Sequence, residues 1–169
     1  LNDSEMKFAD DGAISVSDAV TKANVDTING YTTGIVTPTS LTEDRADIAT
    51  LQSTAGISLA TTNITVADQV TKAQADTINA YITETVTLTS VADTVANITA
   101  IDALTTSEVN MASANITVTD QITKAQADTI NAYTTGIVTP TSLTEDRADI
   151  STLQGMASIS LAITNITVT

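Results

Sequence analysis

Two hydrophobic patterns take turns along the chain. In ITVAD, residues 64–68, Ile64 and Val66 point one way while Thr65 and Ala67 point the other, the period of two that predicts a half-buried strand. A helix is predicted next, with Val70, Ala73, Ile78 and Tyr81 on its buried face. Val20, Ala23, Ile28 and Tyr31 repeat that face, as do Ile122, Ala125, Ile130 and Tyr133, so all three tyrosines share one position and read as a structural ladder. Thr71 with Gln74, and Thr123 with Gln126, have capping-box spacing, and Asp68 and Asp120 just ahead suit the positive end of a helix.

A second strand–helix pair follows in each case. IVTPTSL, or VTLTSV in the middle of the chain, reads as a strand, and TEDRADIATL as a shorter helix. Thr42, Glu43 and Asp44 form its expected acid-rich first turn, and Leu41, Ile48 and Leu51 its buried stripe. Pro38 and Pro140 have no N–H to donate, so those strands are expected to be short, bulged or irregular there. The apolar pairs Ile57/Leu59, Val109/Met111 and Ile159/Leu161 lead back to the next strand, with Met6/Phe8 as their N-terminal counterpart.

These pairs belong to a longer repeat. Residues 21–52 and 123–154 differ at only four positions, Asn24/Gln126, Val25/Ala127, Gly30/Ala132 and Ala49/Ser151, and residues 71–101 are a more diverged copy. Equivalent strands start at Ile14, Ile64, Ile116 and Ile166, steps of 50, 52 and 50 residues. The expected division is a partial repeat at 1–13, repeats at 14–63, 64–115 and 116–165, and the start of another at 166–169. The fold class expected is α/β: one continuous solenoid of strand–helix coils, with a parallel sheet on one side and short helices on the other. Its layered logic resembles leucine-rich repeats, although their LxxLxLxxN signature is not kept. The competing arrangement is an array of compact 50-residue modules, each marginally stable alone.

Composition narrows the chemistry. The chain has 169 residues, 20 acidic and 6 basic, with no His, Cys or Trp. That removes an imidazole base, a thiol nucleophile, the usual zinc site and any disulfide framework. A net charge of −14 argues against nucleic acid and anionic membranes as partners, and no apolar run reaches the length of a membrane span. Hydrophobic residues make up 42% of the chain but aromatic ones only 2%, which suits a thin, layered core of Ala, Val, Ile and Leu. The chain begins at Leu1 without a visible signal peptide and reads as an excerpt of a longer protein. Near-identical units offer no unique cleft, so no enzyme is expected and no catalytic residue is nominated.

Three residue sets remain as candidates. Hydroxyls recur on the outward strand face at Thr37, Thr39, Thr65, Thr87, Thr89, Thr117, Thr119, Thr139 and Thr141, and in-register stacking would align them in two ranks. Such ranks resemble the T-x-T arrays of β-solenoid antifreeze proteins and imply ice or carbohydrate as a partner, while Thr is equally a good residue for any exposed sheet. Glu43, Asp44 and Asp47, repeated as Glu145, Asp146 and Asp149, are the candidate metal ligands. No cofactor is expected, with calcium as the one ion such carboxylates would suit; no established calcium-loop motif is present, and helix capping explains the same residues. Asn63, Asn97, Asn115 and Asn165 each open an Asn-Ile-Thr acceptor sequence for N-glycosylation, and Asn2 opens an Asn-x-Ser one.

Acidic Thr-rich repeats without Cys, in phrases such as ITVTDQITKAQADTIN, resemble the tandem-repeat regions of very large bacterial or cyanobacterial cell-surface proteins, adhesins and S-layer-like proteins among them. The resemblance implies an extracellular or cell-surface location, a non-enzymatic structural role giving length and stiffness, and other copies of the chain as partners, end to end or side by side.

Overall fold

The structure, a computed structural model, describes residues 12–104 and 108–169. Met6, Phe8 and Asn2 lie outside these residues.

In chain order the elements are β1 (Ile14–Val20), α1 (Lys22–Asn29), β2 (Val36–Glu43), α2 (Arg45–Ser53), β3 (Asn63–Val70), α3 (Lys72–Asn79), β4 (Val86–Asp93), α4 (Val95–Asp102), β5 (Val109–Asn110), β6 (Asn115–Ile122), α5 (Lys124–Asn131), β7 (Val138–Glu145), α6 (Arg147–Gln154) and β8 (Asn165–Val168). The protein is α/β, with an eight-stranded parallel sheet and six helices among the described residues. Strands follow one another across the sheet in sequence order, β1-β2-β3-β4-β6-β7-β8, with the two-residue β5 also on β4. Each helix touches the next, from α1 through α6, so all six stand in one row on one side of the sheet. Same-handed crossovers between neighbouring parallel strands produce that outcome.

Strand alternation decides what the row of helices covers. Ile64, Val66 and Val70 of β3 and Val86, Leu88 and Val91 of β4 point inward and are buried, and Ile48, Leu51, Ile98 and Ile101 of the helices meet them. Each such side chain contributes about 1.5–3 kcal/mol by leaving water. Among the described residues the other sheet face carries no layer, and its Thr and Ser remain at least partly exposed.

Three details differ from the expectations. In the first turn of α1, α3 and α5 the buried residues are Val25, Ala75 and Ala127, whereas Ala23, Ala73 and Ala125 are exposed; Ile78 and Ile130, further along, are buried as expected. Val70 still belongs to the strand and α3 starts at Lys72, so a helical period counted from Val70 is out of phase. Glu43 and Glu145 end their strands, the N-caps are Asp44 and Asp146, and the helices begin at Arg45 and Arg147, so Thr42, Glu43 and Asp44 precede the first turn instead of forming it. Finally, β2 and β7 run eight residues straight through Pro38 and Pro140. The irregularity lies in the neighbouring strand, between Val16 and Ala19 or Val118 and Gln121. It recurs between Val66 and Gln69, where Leu88 replaces proline, so proline is not its cause.

Candidate functional site

The acidic residues do their main work between units. Glu43, Asp68, Asp93, Asp120 and Glu145 fall on the inward alternation of their strands, beside Leu41, Val70, Val91, Val118 and Leu143; Glu43, Asp93 and Glu145 are the last residues of their strands, and Asp68 and Asp120 lie two residues before the end of theirs. An acid facing inward needs donors, and the helix of the preceding unit supplies one. Glu43 accepts the backbone N–H of Lys22 at 2.5 Å, Asp68 that of Arg45 at 2.9 Å, Asp93 that of Lys72 at 2.8 Å, Asp120 that of Val95 at 3.0 Å and Glu145 that of Lys124 at 2.5 Å. In every case the donor is the first residue of a helix, one of the amides that has no intrahelical partner. A carboxylate there also meets the positive end of the helix dipole. Asp68 and Asp120 therefore cap the preceding unit's helix and not the one that follows them, correcting the expectation.

The helices are capped a second time by their own residues. Asp44 and Asp146 accept from the amides of Asp47 and Asp149, each at 2.9 Å. In α4 the same place is taken by Thr94, whose hydroxyl accepts from the Asn97 amide. Thr71 and Thr123 form the expected capping boxes with Gln74 and Gln126, and Thr21 does so with Asn24. Of the six candidate metal ligands, four thus serve as caps: Glu43 and Glu145 across units, Asp44 and Asp146 within them. Asp47 and Asp149 lie in the first turn of the same helices. Among the described residues no three acidic side chains converge as a metal cage.

Charge follows the same lattice. Lys22, Lys72 and Lys124 pair with Asp26, Asp76 and Asp128 one turn on, at 2.6 Å for Lys72 and 2.5 Å for Lys124. The Asp26 hydrogen bond, with further attraction from Asp47 and Glu43, holds the Lys22 ammonium above its usual range. Asp128, Asp149 and Glu145 do the same for Lys124. Burial pushes the Asp93 carboxyl upward, but hydrogen bonds from the Asn97 side chain and the Lys72 and Thr94 amides, with the Lys72 charge, outweigh it and hold the group below the ordinary carboxylate range.

The threonine face is less regular than a stack in simple register. Thr65 pairs with Thr87 and Thr117 with Thr139 directly across the sheet. On its other side Thr65 meets Thr42, and Thr117 meets Ala92, because each unit slides along its neighbour. Thr37 sits opposite Ser15. The hydroxyls of Thr39, Thr89 and Thr141 turn back to the sheet, donating to the carbonyls of Val16, Val66 and Val118 at 3.0, 2.8 and 3.0 Å. These three satisfy the neighbouring irregularity, while Thr119, exposed, lies within one.

Asn63, Asn115 and Asn165 open strands and are exposed; Asn97 lies inside α4. The Asn115 side-chain carbonyl accepts the Ile137 amide at 3.0 Å, and the Asn97 amide donates to Asp93 at 2.8 Å. Sequence reasoning missed two buried hydroxyls: Thr62 donates to the Pro38 carbonyl and Thr134 to that of Ala114, both at 2.7 Å. Their signal was a Thr where the diverged middle copy carries an apolar residue, Ala114 for Thr62 and Ile82 for Thr134. An open groove of about 300 Å³ runs between α2 and α3, lined by Arg45, Ala46, Ala49, Gln74, Thr77, Ile78 and Tyr81. No protein-family model, curated protein or solved structure matches the chain.

Proposed function

We propose that this chain is a non-enzymatic structural repeat segment, a strand–helix solenoid belonging to an extracellular or cell-surface protein or filament, where it gives length, stiffness and self-association. One observation carries the reading: the same carboxylate-to-helix contact joins each strand–helix unit to the next, five times over. A contact of one kind that recurs at five successive junctions builds a property that adds along a length. The surface location rests on the resemblance to repeat regions of large surface proteins.

Small-angle scattering on a tandem fusion tests the architecture. Each added 50-residue repeat contributes two strands, so the particle lengthens by about 10 Å per repeat. Separate compact modules would add about 25 Å each and would sink the solenoid reading. Antibody labelling of intact source cells tests the location, and labelling only after permeabilisation counts against it. A second reading, a binding module for ice or carbohydrate, is favoured by the directly paired Thr65/Thr87 and Thr117/Thr139. Inhibition of ice recrystallisation, lost on Thr87→Lys and Thr139→Lys, would establish it.

A further inference from the structure

The sheet face turned away from the helices differs from the rest of the surface. Its outward positions on β1, β2, β3, β4, β6 and β7 hold Thr, Ser, Ala, Asn and Gln, and among the described residues no charged or aromatic side chain stands on it. Yet charged residues make up 15% of the chain, with a net charge of −14. The acids of the strands turn inward to cap helices, and Lys22, Lys72 and Lys124 stand on the helix row. A surface kept in water ordinarily mixes charges among its hydroxyls, so solvation alone does not account for a neutral face of this extent.

Much of the polarity on the face is already satisfied within it. Thr39, Thr89 and Thr141 donate to carbonyls of the neighbouring strand. The Gln69 amide donates to the Ser90 hydroxyl at 3.4 Å and to the Thr117 hydroxyl at 3.3 Å, and the Gln121 amide to the Thr144 hydroxyl at 2.5 Å. Groups paired in this way cost little to take out of water. Thr65, Thr87 and Thr139 make no side-chain hydrogen bond among the described residues, which leaves their hydroxyls to a partner.

We propose that a second copy of this chain covers this face, sheet against sheet across a two-fold axis, with Thr87 and Thr139 inside the contact. Charge selects the face: two copies at −14 repel wherever their acidic surfaces meet, and here they approach without opposing charges. Area permits it, since six strands about 4.8 Å apart and about 23 Å long span roughly 650 Å², near the ~800 Å² that each partner gives to a standard interface. A two-fold axis lets one patch serve both copies. Ice would need a regular lattice, which the slide that sets Thr117 against Ala92 interrupts, and a sugar finds no aromatic ring on which to stack. This inference rests on the structural reading above and names the partner and the face of its self-association.

Sedimentation equilibrium of the full 169-residue chain tests it. A concentration-dependent dimer is expected, strengthened by added salt because salt screens the repulsion between copies. Thr87→Glu with Thr139→Glu sets like charges against one another and should weaken the dimer at least about tenfold, as should Thr87→Lys with Thr139→Lys. An equimolar mixture of the two double variants should recover it as a mixed dimer, which a merely misfolded variant could not do. The same change on the exposed helix row, Thr77→Lys with Thr129→Lys, should leave the dimer intact. A chain monomeric at every concentration, a dimer weakened by salt, or one indifferent to the glutamates overturns the proposal. A monomer that inhibits ice recrystallisation or is retained by an insoluble neutral polysaccharide overturns it too, and gives the face to that ligand. The scattering and labelling experiments judge the structural reading separately, so a lost dimer with those results intact removes this contact alone.

Discussion

The middle repeat and the third repeat build the same structure from different chemistry. At the strand end, Glu145 caps Lys124 through one amide, while Asp93 takes the amides of both Lys72 and Thr94 and the side chain of Asn97. At the helix start, Asp146 in one repeat is Thr94 in the other, each accepting from the third helical residue. Pro140 sits where Leu88 does; the proline carbonyls at 38 and 140 receive hydroxyls from Thr62 and Thr164, and the residue at the matching place after Leu88 is the buried Ala114. In the turn before the strand, Thr134 and Gly136 replace Ile82 and Glu84. The difference teaches that the fold demands an acceptor at each helix start and a filled volume at each inward position, whichever side chain supplies them.

Grafting residues between the two repeats breaks the comparison most sharply at the glycine. A Cβ on Gly136 would stand 2.2 Å from the Ala114 carbonyl oxygen, well inside contact, whereas Glu84 is exposed. Gly136→Glu is expected to cost about 3 kcal/mol in urea unfolding and Glu84→Gly less than about 1 kcal/mol. Equal losses would mean that the close approach at Gly136 is unimportant. Next in size, Asp93→Ala leaves two backbone amides without their acceptor and should cost about 2 kcal/mol, against about 1 kcal/mol for Glu145→Ala with one. The reverse order would show that counting amides is the wrong measure of a junction.

A pH titration sharpens the same pair. The folded Asp93 carboxyl titrates below its ordinary value of 3.8, so the unfolded chain takes up its proton first as the solution is acidified. Its contribution is therefore complete above the ordinary carboxylate range and is lost as pH falls through that range to the lower folded value. Wild type should lose more stability than Asp93→Asn between pH 6 and pH 3, and parallel curves would remove Asp93 from the acid response. The smallest effect belongs to the surface pairs: Lys72→Ala and Lys124→Ala should each change stability by less than about 0.5 kcal/mol and differ little from one another.

Period-two runs such as ITVAD and the recurrence of near-identical segments sufficed to read strands, helices and a parallel α/β architecture from the chain, because both signals are local and each repeat restates them. Leu41, Ile48 and Leu51 were legible for the same reason, and all three are fully buried. The partners of the acids were not. Asp68 lies three residues before the capping threonine of its own helix, and nearness in sequence assigned it there; the structure gives it to Arg45, 23 residues away. Glu43 likewise reaches back 21 residues to Lys22. A clue did exist, since both acids fall on inward positions, where a charge stays only if donors surround it. Which helix provides those donors depends on how far each strand slides along its neighbour, and the same slide separates Thr39, bonded into the sheet, from Thr65 and Thr87, paired on its surface. The sequence by itself determined the elements and their period; only the tertiary structure decided which unit's carboxylate holds which unit's helix, because that choice is made by register between strands that the chain's local pattern does not encode.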